Sequence, residues 1–387
     1  PYPMCSISKH RLFFPLLNTR QCYPFNMPLV PPYIQNLANY VPGKPIAEVQ
    51  REFGLSHVDK LASNENSLGP SPKAIKAMTE TLSGLHRYPD VSGYELRTKL
   101  ANRFNIKMKN VILGAGSEGI MSTIIRTFLL QDDELISAEN SFIGFRVLAN
   151  ASGRKIHWVP MKKHRYDLEK IAQKINKFTK IIYIANPDNP MGTYITRGEF
   201  DQFYSRVPKR VLIILDEAYF EFAQYIDDYP NSMNYRYDNV ITLRTFSKAY
   251  GLAGLRIGYG FAHDALISNL MKVKEPFEPS LIALTAGVAA MDDTEFIEKT
   301  IAMNQTGYTF LENKLQSLGV EIIPSAANFI TTVWNSEERA AKITQSLLHK
   351  GIIVRSLTAF GWPEYIRVSI GTEKENRRFI DALRTLL

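Results

Sequence analysis

Three apolar runs, each ending in polar residues able to do chemistry, constrain this chain most. Ile181–Ala185 leads into Asn186-Pro187-Asp188-Asn189-Pro190-Met191-Gly192, Val211–Leu215 into Asp216-Glu217-Ala218-Tyr219, and Val240–Leu243 into Arg244-Thr245-Phe246-Ser247-Lys248. Short runs of Ile, Leu and Val without alternating polar residues read as strands buried on both faces. Lys155–Val159 and Leu135–Ala138 extend the series, with amphipathic segments between the runs. Such β–α repetition predicts a mostly parallel sheet with helices on both faces. Ligands of such sheets bind outside the carboxyl ends of the strands, where all three polar endings fall. The expected fold class is therefore α/β, a large domain of this kind followed by a smaller α/β lobe.

The third ending belongs to a Gly-rich stretch, Thr245–Gly260, in which Lys248 stands between Ser247 and Ala249 and is followed by Arg256. A strand that delivers a lysine into such a turn can hold an amine in a pocket, where it can form a Schiff base with a carbonyl. Arg256 adds a fixed charge suited to a phosphate. An aldehyde and a phosphate on one molecule describe pyridoxal 5'-phosphate. Asp216 at a neighbouring strand end can salt-bridge a pyridinium nitrogen, and the Asn189 amide and Tyr219 phenol can hydrogen-bond a ring oxygen. Each residue also has a plainer reading: Lys248 in a solvated loop, Asp216 as a helix cap, Asn189 in an Asx-turn. Their occurrence in order, on three successive strand ends, favours the shared site.

Val111–Leu113 runs into Gly114-Ala115-Gly116-Ser117-Glu118-Gly119 before a helical pattern over Ile120–Leu130. That is the outline of a dinucleotide fingerprint, with Glu139 at about the right distance for its acidic residue. Its physics is less specific: small residues let backbone N–H groups at a helix N-terminus approach a phosphate. NAD and pyridoxal phosphate both satisfy it.

The 387 residues suffice for two domains. The net charge of +8 is dispersed, with no basic run longer than Lys162-Lys163-His164-Arg165. It describes a solvated surface attractive to anions rather than a nucleic-acid interface. The apolar run Leu281–Met291 is too short to cross a bilayer. Cys5 and Cys22 are the only cysteines and the seven histidines are scattered, so neither a disulfide framework nor a metal site is expected, and a reducing, cytoplasmic location is. Residues 1–26 are proline-rich without periodicity and read as a disordered extension. Past the break Glu275-Pro276-Phe277-Glu278-Pro279 come a long helical stretch over Ser280–Leu318, strands at Glu321–Pro324, Phe329–Val333, Ile352–Arg355 and Tyr365–Ser369, and a helix over Ser336–Lys350. Arg355 and Arg367 on these strands are candidates for carboxylate and phosphate recognition, or for surface ion pairs.

Taken together, Leu61–Pro72, Arg87-Tyr88-Pro89-Asp90, Asn186–Gly192, Asp216–Tyr219, Leu243–Gly258, Pro324–Ile330 and Tyr365–Thr372 resemble the fold-type I pyridoxal-phosphate aminotransferases, and within them the histidinol-phosphate aminotransferases. The resemblance implies an N-terminal segment over 27–62 that joins the small lobe, a large cofactor-binding domain over 63–273 and a small C-terminal domain over 274–387. It implies Lys248 as the Schiff-base and proton-transfer lysine, Asp216 at the ring nitrogen, and Asn189 with Tyr219 at the ring oxygen. Phe142 would stack on the ring. Gly116, Ser117, Glu118, Ser247 and Arg256 would hold the phosphate, with Tyr88 reaching the cofactor of a second subunit in a homodimer. Asn66, Asn328, Arg355 and Arg367 would contact substrate, the donor being histidinol phosphate and the acceptor 2-oxoglutarate. Phe142 stands where Tyr is common, Asp188 where Asn is, Met191 where Thr is and Ser67 where Pro is, which loosens the substrate expectation. An aromatic (Phe/Tyr) aminotransferase is the alternative. A threonine-phosphate decarboxylase, an NAD oxidoreductase and a non-catalytic cofactor-sensing domain stand further off.

Overall fold

The computed structural model describes residues 29–39, 43–235 and 237–387. The extension expected over 1–26, with Cys5 and Cys22, lies outside them. Two short helices, α1 (Pro32–Gln35) and α2 (Ile46–Phe53), lead to a two-residue strand, β1 (Asp59–Lys60). Helices α3 (Pro72–Thr81) and α4 (Tyr94–Arg103) precede β2 (Val111–Gly114), α5 (Gly116–Phe128) and β3 (Glu134–Ala138). Alternation continues through α6 (Ile143–Ala151), β4 (Lys155–Val159), α7 (Leu168–Lys174), β5 (Thr179–Ala185) and α8 (Arg197–Tyr204). It ends with β6 (Leu212–Asp216), α9 (Phe220–Ala223), β7 (Val240–Thr245) and β8 (Gly258–Phe261).

These strands form one seven-stranded sheet in the order β2-β8-β7-β6-β5-β3-β4. All neighbours are parallel except β8, which runs antiparallel to β2 and β7. Successive residues of a strand point to opposite faces. Accordingly Ile181 and Tyr183 join one apolar cluster with α5, α6 and the later residues Ile267 and Leu270, whereas Ile182 and Ile184 join another with α7 and α8. Burial on both faces is why these runs show no polar alternation. The strand order reverses between β3 and β5, and the three polar endings project from β5, β6 and β7 beside that switch.

The remaining elements are α10 (Asp264–Val273), α11 (Leu281–Met291), α12 (Thr294–Ser317), β9 (Glu321–Ile323), β10 (Phe329–Val333), α13 (Glu337–His349), β11 (Ile352–Ile353), β12 (Arg355–Ser356), β13 (Tyr365–Ser369) and α14 (Glu373–Arg384). β12, β13, β10 and β9 form an antiparallel sheet in that order. The strand expected over Ile352–Arg355 is divided: β11 pairs with β1 and β12 with β13, so the chain serves two sheets around Val354. The helical stretch expected over Ser280–Leu318 is α11 and α12, broken at Asp292-Asp293. Helix α11 presents Ala283, Ala286 and Ala290 to the cluster that includes α3 and α4. Helix α12 joins the two cores, burying Phe296 and Ile297 in that cluster and Leu311 and Leu315 in the small-sheet cluster. No helix among the described residues is long and apolar enough to cross a membrane.

Candidate active site

A cavity of about 610 Å³ opens at the carboxyl ends of β5, β6 and β7, with Arg355 and Arg367 of the small sheet on its far wall. Lys248 lies three residues beyond the end of β7. Its Nζ donates to the Ser63 carbonyl at 3.0 Å and lies 5.9 Å from the centre of the Tyr219 ring. Burial, followed by the nearby Arg367 charge, lowers its pKa to about 8. A useful neutral fraction near neutrality is what a nucleophilic amine requires.

Asp216 is the last residue of β6 and is buried. Its Oδ2 accepts from the Tyr183 hydroxyl at 2.7 Å. The register of β5 on β6 places Tyr183 opposite Ile214, so Asp216 falls two residues further on the same face. Its Oδ1 has no hydrogen-bond partner among the described residues. Burial raises this carboxyl to about 7, against the hydrogen bond from Tyr183. A buried carboxylate oxygen without a donor, on a residue that lines the cavity, fits a cationic N–H on whatever lies there.

Tyr219, just beyond the same strand, accepts from Asn64 Nδ2 at 2.9 Å, and burial pushes its phenol up to about 12. Asn64 adopts a left-handed φ of 54° and is held by Ser369, whose hydroxyl donates to Asn64 Oδ1 at 3.0 Å. Asn189 Oδ1 accepts from Arg367 Nη1. The adjacent Asp188 is buried and accepts from Ser141 Oγ at 2.6 Å, and Ser141 bonds Tyr166 at 2.6 Å. This chain fastens the loop carrying Phe142 to the loop carrying Asn189. Phe142 lines the cavity, and a Cβ on Gly144 would come within 2.6 Å of its ring.

One part of the cavity is built from the first turn of α5 and the loop after β7. Ser117, Glu118, Ser247 and Arg256 line the cavity. Thr245 Oγ1 donates to Ser247 Oγ at 3.0 Å, and Arg256, in a left-handed conformation at φ 52°, donates to Ser247 Oγ at 3.4 Å and pairs with Glu118 at 3.2 Å. Gly116 is buried beneath this turn, with Arg256 Nη2 2.8 Å from where its Cβ would stand. The N–H groups that open a helix, with an arginine alongside, are the kind of arrangement that can receive a phosphate.

On the opposite wall, Arg355 and Arg367 are direct cross-strand partners in β12 and β13. Each guanidinium lies 5.9 Å from the centre of the Phe360 ring. Like charges placed opposite each other are unfavourable in a sheet; an anion between them would relieve the repulsion. Arg367 also donates to the Ala62 carbonyl at 2.8 Å.

Some expected site residues do not reach the cavity. Asn66 spends its amide on the Ala249 carbonyl (2.9 Å) and the Thr300 hydroxyl (3.0 Å), and its Oδ1 accepts from Leu68 N. It braces the loop, and Asn64, two residues earlier, faces the cavity in its place. Asn328 donates to the Asn64 carbonyl at 3.0 Å and so acts behind Asn64. Tyr88 is 79% exposed and stacks on Phe277 at 4.2 Å. Sequence reasoning missed Asn64 and Tyr183. The first could have been weighed as the other asparagine of Asn64-Glu65-Asn66; the second gave no local signal.

The dinucleotide alternative fails on topology. A dinucleotide unit needs its first two strands side by side around the glycine turn. Among the described residues β2 pairs only with β8, and α5 leads instead to β3, which lies between β5 and β4. Glu139, just after β3, is therefore not beside the turn. No cluster of potential metal ligands occurs among the described residues.

A seven-stranded sheet of this order, with a lysine after β7, an aspartate ending β6 and a Gly-rich turn opening α5, is the architecture of the fold-type I aminotransferases. The profile of the class I and II aminotransferases matches residues 56–383. A histidinol-phosphate aminotransferase of Carboxydothermus hydrogenoformans is 41% identical over 92% of this chain and 98% of its own. One from Anaeromyxobacter sp. is 40% identical over 93% of this chain and all of its own. The crystal structure of histidinol-phosphate aminotransferase from Sinorhizobium meliloti, in complex with pyridoxal-5'-phosphate, superposes with a TM-score of 0.86 at 26% identity. It covers 93% of this chain and 98% of that one. The chain belongs to the class I and II aminotransferases and, within them, to the family of the histidinol-phosphate aminotransferases.

Proposed function

We propose that this protein uses pyridoxal 5'-phosphate to transfer the amino group of L-glutamate to imidazole-acetol phosphate, giving L-histidinol phosphate and 2-oxoglutarate, and the reverse. The observation that carries this is the Arg355–Arg367 pair facing the cavity that also holds Lys248 and the orphaned Asp216 oxygen. The cofactor supplies an aldehyde and an electron-sink ring that acidifies the substrate Cα–H. Lys248 holds the aldehyde and, once freed by the incoming amine, carries a proton between the substrate Cα and the cofactor C4'. Asp216 Oδ1 keeps the ring nitrogen protonated. Asn189 and Tyr219 orient the ring oxygen, Phe142 covers one face, and Ser117, Glu118, Ser247 and Arg256 cradle the phosphate with the backbone of Gly116. Arg367, steadied by Asn189, binds the substrate anion with Arg355: the phosphate of histidinol phosphate or a carboxylate of glutamate.

The large domain of this enzyme is taken as residues 63–273 and the small one as 274–387, with 27–62 joined to the latter. The β1–β11 pairing and the Val49, Val58, Leu348 and Ile353 cluster support that attachment. A homodimer, with Tyr88 directed to the neighbouring cofactor, is supported by the exposure of Leu85, Tyr88, Val91 and Tyr94 in one segment. A cytoplasmic location is supported by a body without cysteines after Cys22.

The test is half-transamination, following the visible band of the loaded protein as single amino donors are added. Histidinol phosphate is expected to bleach the band far faster than phenylalanine at equal concentration. Faster bleaching by phenylalanine would make this an aromatic aminotransferase; no band with added cofactor would remove Lys248 from its role.

A further inference from the structure

The segment that leaves the large sheet for the small one straps the outside of α5. Glu275 Oε1 accepts from Arg126, in the last turn of α5, at 2.5 Å. At the other end of the helix, Glu278 Oε1 accepts from the backbone N–H of Ala115 at 2.7 Å. Between them Phe277, in a left-handed conformation at φ 61°, stacks on Tyr88. Glu278 is half-buried, its carbonyl accepts from Lys274 Nζ, and it does not line the cavity. Its carboxylate is admitted by a missing side chain: a Cβ on Gly119 would stand 2.8 Å from Glu278 Oε1. No helical requirement calls for glycine there, since Gly119 is within the first turns of α5 at an ordinary φ and glycine weakens a helix by about 1 kcal/mol relative to alanine.

We propose that Glu278 is a positioning residue for the cofactor phosphate: admitted by Gly119, it pins Ala115 from behind and fixes the first turn of α5 under the phosphate. The N–H groups of Gly116, Ser117 and Glu118 have no acceptor within the helix. Their direction is set by the residue before them, and Ala115 is that residue. A carboxylate bound to Ala115 holds the turn while leaving the next three donors to the cavity. The strap thereby ties the phosphate cradle to the crossing between the two lobes and to the Tyr88 ring. This role rests on pyridoxal phosphate being the cofactor.

The experiment titrates the cofactor-free protein with pyridoxal phosphate, reading the dissociation constant from absorbance, with a thermal melt of each protein alongside. Glu278→Ala is expected to weaken binding on the order of tenfold, the loss of one hydrogen bond to a charged acceptor. Glu278→Gln keeps an acceptor oxygen and is expected to stay within about twofold of wild type. Gly119→Ala should weaken binding as Glu278→Ala does, because its methyl expels the carboxylate. Combining the two should add no further loss, since both remove one interaction. Wild-type affinity in Glu278→Ala or Gly119→Ala, a Gln variant as weak as the Ala variant, or additive effects in the double variant would each overturn the role. Failure of the wild-type protein to bind pyridoxal phosphate would instead overturn the cofactor assignment.

Discussion

Gly258→Ala should damage the phosphate cradle through contact alone. Gly258 begins β8, where it pairs with Gly114 and Thr245. An alanine Cβ there would stand 2.6 Å from Gly116 C and 2.6 Å from Ser117 N, with the Arg244 carbonyl at 3.0 Å on the other side. Ordinary contact begins at 3.4 Å, so the first turn of α5 must retreat by 0.8 Å (3.4 less 2.6) or β8 must move off β7. All three neighbours are backbone atoms and cannot rotate aside. The backbone of Gly258 is not in the left-handed region, so no conformational penalty confuses the result. Overpacking of this kind costs about 1–3 kcal/mol. A displacement near 1 Å in a binding constellation costs up to about 100-fold in function. We expect pyridoxal-phosphate affinity to fall between about 10- and 100-fold and the melting temperature of the cofactor-free protein to drop. Equilibrium titration and thermal melts measure both. Gly254→Ala is the control: it lies in the same exposed loop as Arg256, with nothing within 4 Å of its Cβ position, and should change neither. A Gly258→Ala protein that binds and melts like wild type would refute the claim that β8 supports the cradle by close approach.

Other outcomes follow from the same geometry. Lys248→Ala should lower turnover about 1000-fold or more and leave a cofactor that borohydride cannot fix to the protein; retained turnover would place the reactive amine elsewhere. Arg367→Ala should raise KM for histidinol phosphate about 100-fold while altering cofactor affinity much less; an unchanged KM would show that the anion is held by other groups. Burial raises Asp188 and Asp216 from 3.8 to about 7, so between those values the folded cofactor-free protein holds protons that the unfolded chain releases. Their contribution is therefore present below about pH 4 and is lost as pH rises through about 7, on the order of 4 kcal/mol for each group at most. Melts from pH 5 to 8 should show this fall, and Asp188→Asn should flatten it; an equally steep fall in that variant would exclude Asp188.

The sequence alone determined the parts of this protein that depend on neighbours along the chain. Ile181–Ala185 and Val240–Leu243 are apolar enough, and short enough, to be little else than doubly buried strands. The residues that follow them must then emerge at the sheet edge, which made Asn189, Asp216 and Lys248 legible as one site. Strand β8 was not legible, because Gly258 and Gly260 give it no apolar pattern; both are glycine so that the backbone can lie against α5 and β7. Tertiary structure alone decided which asparagine of Asn64-Glu65-Asn66 faces the cavity. Asn64 turns inward through a left-handed backbone held by Ser369, far away in sequence, while Asn66 is held by Ala249 and Thr300. It also set Tyr183 against Asp216 through strand register, placed Arg355 opposite Arg367, and brought Glu278 behind Ala115. Local composition specifies where a strand ends; which distant side chains meet there is set by register, strand order and the room left by missing side chains, none of which has a local signature.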